Sequence, residues 1–248
     1  MSKNKLKNKK SSNTNMRTEK VIPIEANIDI AINLYKHGKF SDAKLILNEL
    51  LLFNPKHAES WFYIALIANQ EGLHQDAIRN LENALAINPD NLKYLYTLGD
   101  IFYELNYLHD GVKLFQNIIK LYPKDYNGYY NLAVYFQKLK NYKSSLSNYY
   151  KVLEFDGNNI NSLYNIGIIL IDLKDFSNAF NFFEKVIELQ PNSDDAFNNL
   201  GLLYLEKGGF ERAIHYLNNA ILINPNNYMA LNNLGKAHEQ NGSYLEAF

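Results

Sequence analysis

Apolar residues return at helical spacing in paired blocks along most of the chain. Between 58 and 91, Trp61, Ile64, Ala65 and Ala68 form one stripe, and Ala77, Ile78, Leu81, Ala84 and Leu85 form a second. Gly72 separates the stripes and Asn88-Pro89 follows the second; a glycine tolerates the left-handed turn after a helix, and a proline cannot extend one. The block therefore predicts two helices, and it repeats. Pro55, Pro89 and Pro123 are spaced by 34, as are Pro191 and Pro225, with Gly157 at the missing step. Small residues keep the same period: Ala43, Ala77, Gly111, Ser145, Ala179, Ala213 and Ala247 in one column, and Ala31, Ala65, Gly99, Ala133, Gly167, Gly201 and Gly235 in another.

Two helices approach closely only where one lacks a bulky side chain, so the small columns predict tight helix pairs, with Ala65 facing Ala77. One pair cannot bury both apolar faces, so the pairs must stack. The expected fold is all-α, a right-handed superhelical solenoid. Its repeats run 24–57, 58–91, 92–125, 126–159, 160–193 and 194–227, with a truncated seventh at 228–248. Residues 1–23 precede it as a basic tail, expected to be disordered, with almost nothing apolar from Met1 to Lys20 except Leu6.

Charge and composition narrow the chemistry. The 248 residues carry a formal net charge of −1 and no cysteine, which excludes disulfides, thiolate metal sites and a cysteine nucleophile. Residues 1–20 hold seven Lys or Arg against one Glu, so a basic tail precedes a mildly acidic body. A nucleic-acid or anionic-membrane arm is one reading of that tail; a solvated leader is preferred, and neither nucleic acid nor membrane is an expected partner. Ser11-Ser12-Asn13-Thr14-Asn15 stands where a secretory signal would be apolar, and Ile166 to Leu173 is interrupted at Asp172, so a cytoplasmic location is expected. His37, His57, His74, His109, His215 and His238 are scattered, and no phosphate loop, nucleophile elbow or paired-histidine motif occurs. Asp194-Asp195 opens a helix, where acids offset the positive end of its dipole. No catalytic residue, metal or cofactor is expected.

The unit with Trp61, Ile64-Ala65, Ala77, Leu81, Ala84 and Pro89, and the one with Leu200-Gly201, Tyr204, Ala213, Ala220 and Pro225, resemble the tetratricopeptide repeat over residues 24 to 248. Gly157, Gly111 and Ser145 depart from the family pattern, so the third and fourth units are expected to be looser. The resemblance implies that first helices line a concave ligand groove. There Asn131, Asn165, Asn199 and Asn233 form a column of one carboxamide per repeat. Asparagine both donates and accepts, which suits the main chain of an extended, sequence-tolerant peptide. Tyr96, Tyr130, Tyr164, Asn198 and Asn232 occupy the preceding column and complete the candidate peptide-binding set. Asp29, Tyr63 and Thr97 replace the ladder in the first three units.

Chaperone-type clamps of this family use Lys, Asn and Arg to hold a terminal carboxylate; Phe62, Leu66, Tyr96 and Asp100 stand on the corresponding faces here, which disfavours that ligand. The asparagine ladder looks more like the substrate-guiding repeats of O-linked N-acetylglucosamine transferases. The sequence thus predicts a non-catalytic scaffold binding a protein or peptide, with the recruiting arm of a larger glycosyltransferase as the alternative. The seventh unit stops at Phe248 inside its expected second helix, so either a continuation or a second copy of the chain is expected to cover that edge.

Overall fold

A computed structural model describes the backbone of residues 24–242 and the side chains of 27–242. The basic tail at 1–23 and the expected start of a second helix at 244–248 lie outside the described residues. Contacts divide the chain after Pro89 into two units.

The first unit contains α1 (Ile24–Lys36), α2 (Phe40–Phe53), α3 (Ala58–Gln70) and α4 (His74–Ile87). The second contains α5 (Leu92–Glu104), α6 (Leu108–Leu121), α7 (Tyr126–Lys138), α8 (Tyr142–Phe155), α9 (Ile160–Asp172), α10 (Phe176–Leu189), α11 (Asp194–Glu206), α12 (Phe210–Ile223) and α13 (Tyr228–Gln240). All regular structure among the described residues is helical, in the helix–turn–helix repeats of a tetratricopeptide-type solenoid. None of these helices is long and apolar enough to cross a membrane.

Each first helix of the second unit starts on a short polar side chain. Asn91, Asp125, Asn159, Ser193 and Asn227 accept the free backbone N–H groups of Tyr94, Asn127, Ser162, Ala196 and Ala230. This capping column, also in steps of 34, accounts for part of the heavy asparagine content. The same turns bind successive repeats together. Asn224 and Asn227 both donate to Asp194 Oδ2, at 2.7 and 2.9 Å, and the Tyr122 hydroxyl donates to the Asp90 carbonyl at 2.6 Å. Asp194 thus serves a repeat junction as well as the first turn of α11. At Gly157, where the closing proline is missing, Lys185 Nζ donates to the carbonyl at 3.0 Å and ties the turn to α10.

The core explains both small columns. Phe115, Tyr149, Phe183 and Leu217 recur every 34 residues along the second helices and are fully buried. A Cβ on Gly99, Gly167 or Gly201 would come within 2.5, 2.7 and 2.5 Å of Phe115, Phe183 and Leu217, so the first-helix column is small because a large side chain of the second helix fills it. The two small columns also meet directly in the fourth repeat, where the buried Ser145 hydroxyl donates to the Ala133 carbonyl at 2.8 Å. At Gly111, where the family's usual alanine is missing, the space is taken by a side chain of the next repeat. The Tyr135 ring occupies the space beside Gly111, where a Cβ would lie 1.9 Å from it, and its hydroxyl donates to the Gly99 carbonyl. Gly111 is therefore a packing requirement.

Candidate functional site

The predicted site residues lie in the second unit, on α5, α7, α9, α11 and α13. Their two columns are joined by hydrogen bonds from one repeat to the next. Asn165 Nδ2 donates to the Tyr130 hydroxyl at 3.3 Å, Asn199 Nδ2 to the Tyr164 hydroxyl at 3.1 Å, and Asn233 Nδ2 to Asn198 Oδ1 at 3.0 Å. Each tyrosine stands with its ring against an aromatic residue of its own repeat's second helix: Tyr96 on Phe115, Tyr130 on Tyr149 and Tyr164 on Phe183, at centroid distances of 5.6, 5.7 and 5.6 Å. That packing fixes where the hydroxyl meets the next amide. Burial raises the pKa of the Tyr130 and Tyr164 hydroxyls, keeping them protonated and neutral.

The ladder is not uniform. Tyr96 departs from the pattern: its hydroxyl donates to Asp125 Oδ2 at 2.7 Å, and burial together with that carboxylate pushes its pKa far above the ordinary value. Asn131 is left with a bond inside its own helix, from Nδ2 to the Asn127 carbonyl at 2.9 Å. Asn131 and Asn165 are half-buried, Asn199 and Asn233 are buried at 7 % and 9 % exposure, and Asn198 is buried beside them at 5 %. Asn232 is exposed. Asn199 also donates to the Asp195 carbonyl at 2.9 Å.

Two adjoining clefts open at the half-buried end. The first, of about 430 Å³, is lined by Asp100, Tyr103, Glu104, Tyr130, Asn131 and Tyr135, among others. The second, of about 380 Å³, shares Tyr103, Tyr130 and Val134 with it and extends to Gln137, Lys138, Tyr149 and Asn165. Lys138 lies with its ammonium 3.9 Å from the centre of the Tyr103 ring and donates to the Tyr103 carbonyl at 3.1 Å. Tyr149 donates to Gln137 Oε1 at 2.9 Å. Burial, reinforced by Glu104, raises the pKa of Asp100. Tyr103, Glu104 and Lys138 were missed as lining residues because each differs from its equivalents in neighbouring repeats. Their two columns keep no residue from one repeat to the next, so the period carried no signal there.

Among the described residues no cluster of His, Asp or Glu could hold a metal ion. What the face offers is amides, phenols, two carboxylates and the Lys138 ammonium, groups suited to non-covalent recognition.

Comparisons with known proteins agree with this architecture. Two family profiles, both described as tetratricopeptide repeat, match residues 28–92 and 198–248, and residues 126–159 and 160–193. No curated protein matches the chain. Among solved structures, a tetratricopeptide repeat protein from Parabacteroides merdae is similar with a TM-score of 0.73 at 16% identity, over 90% of this chain and 89% of that one. The pilF protein of Pseudomonas aeruginosa is similar with a TM-score of 0.66 at 17% identity, over 84% and 94%. YrrB, described as a TPR protein with an unusual peptide-binding site, is similar with a TM-score of 0.59 at 22% identity, over 75% and 95%. With capped helix pairs in steps of 34, small columns filled by large side chains, and profile matches in both units, the chain belongs to the tetratricopeptide repeat family.

Proposed function

We propose that the chain is a protein-interaction scaffold whose second unit holds an extended polypeptide along the first-helix face, with Asn131 and Asn165 bonding its main chain. The observation that carries this reading is the pair of adjoining clefts at the one stretch of the ladder where the amides remain half-buried. Each carboxamide there uses Nδ2 within the protein and keeps Oδ1 for a backbone N–H of the ligand. Tyr103 and Tyr130 supply flat apolar walls with a polar tip, a contact that accepts many side chains. The peptide-binding site of YrrB is a property of a protein with the same fold and supports the class of ligand. No feature of the described residues favours a glycosyltransferase arm over this simpler reading.

The test begins with a displayed library of random dodecapeptides selected on the full chain. Affinities of the tightest binders are then measured by fluorescence anisotropy for the wild type and for Asn131→Ala/Asn165→Ala. Two hydrogen bonds of about 1 kcal/mol each predict a loss of roughly 30-fold. Unchanged affinities would remove the amides from the site, and failure to select any binder would overturn the peptide reading.

A further inference from the structure

The first cleft differs from its equivalents along the solenoid in its charge. At the position of Asp100, the following repeats carry Val134, Ile168 and Leu202. Glu104 stands one helical turn further along α5, so both carboxylates face the same cleft, walled by Tyr103, Tyr130 and Tyr135. Neither acid forms an ion pair with a cation among the described residues. Lys138, which lines the adjoining cleft, is directed to the ring and carbonyl of Tyr103. Two carboxylates one helical turn apart, both exposed on the same cleft, repel each other and leave a site whose electrostatics improve when a positive charge enters. The tyrosine walls suit the same guest, because an aliphatic stem packs on phenol rings while its charged head reaches the acids. Lys138 on Tyr103 shows that this ring already accepts an ammonium.

We propose that the Asp100–Glu104 cleft receives a lysine or arginine side chain of the bound polypeptide and so sets its register on the ladder. The inference rests on the polypeptide reading above and adds a specificity to it. A guest side chain at Asp100 and Glu104 would place the neighbouring main chain beside Asn131, which lines the same cleft. A ladder of main-chain contacts is indifferent to sequence; one charged pocket at its open end makes it selective.

The selected dodecapeptides test this directly. Binders should share a basic residue at one register, and replacing it with norleucine should weaken binding to the wild type about tenfold, the scale of a charge-assisted hydrogen bond. In Asp100→Asn/Glu104→Gln the lysine and norleucine peptides should bind alike, and in Glu104→Lys the lysine peptide should fall below the norleucine one. Circular dichroism of both variants confirms the fold. Binders with no shared basic residue, or a norleucine penalty equal in wild type and Asp100→Asn/Glu104→Gln, would overturn the inference. In either case, a norleucine peptide still weakened by Asn131→Ala/Asn165→Ala leaves the polypeptide reading standing. A library that yields no binder overturns both.

Discussion

The two ends of the asparagine ladder, built from the same column and carried on the same kind of helix, are bonded and buried differently. At α11 and α13 the ladder is closed: Asn198 replaces a tyrosine, its short carboxamide meets Asn233, and both sink below the surface. At α5 and α7 it is open: the Tyr96 hydroxyl donates to the carboxylate of Asp125, the cap of α7, and Asn131 Nδ2 bonds the Asn127 carbonyl within its own helix. Asn131 lines the cleft there. A residue's place in a repeat pattern does not fix which hydrogen bonds it makes. The turns differ too. The open end uses Asn106, Lys140 and Lys174 at positive φ, where the closed end uses Gly208 and Gly242.

The strongest test asks whether the open end is a built site or merely a poorly packed one. Phe115→Ala beneath the open end and Leu217→Ala beneath the closed end each remove a fully buried side chain. Losses of about 3–5 and 2–5 kcal/mol are expected in urea unfolding. A much smaller loss at Phe115 would mean that the clefts reflect weak packing. Next comes the ladder itself. Asn233→Ala leaves the buried Asn198 carbonyl without its donor and should cost about 1–3 kcal/mol, whereas Asn131→Ala, which removes only a bond within its own helix, should stay within about 0.5 kcal/mol. Equal costs would erase the distinction between the two ends. The smallest effect concerns the turns. Lys140→Gly and Lys174→Gly relieve left-handed backbone strain at exposed side chains and should raise stability by about 0.5–1 kcal/mol each, read as a higher urea midpoint. No gain at either position would show that these turns carry no strain worth relieving.

Much of this molecule is written in local and periodic signals. The steps of 34 through the prolines and small residues define helix pairs and force them to stack, because a single pair cannot cover its apolar faces. Glycines at 38, 72 and 208 mark turns that the structure places in the left-handed region. The asparagine and tyrosine columns are equally visible, and so is their alignment on successive first helices. Three things required the folded chain. Gly111 read as a weakness until Tyr135, from the next repeat, filled its space. Lys140 and Lys174 adopt positive φ without any glycine to announce it, since stacking of the flanking helices sets the turn. The division of the ladder into an open and a closed end depends on which groups pair, Tyr96 with Asp125 and Asn165 with Tyr130, across separations of 29 and 35 residues. Periodicity in the sequence determines which side chains are neighbours. Only the tertiary structure decides how those neighbours pair, because pairing depends on burial, reach and orientation across repeats, none of which the period encodes.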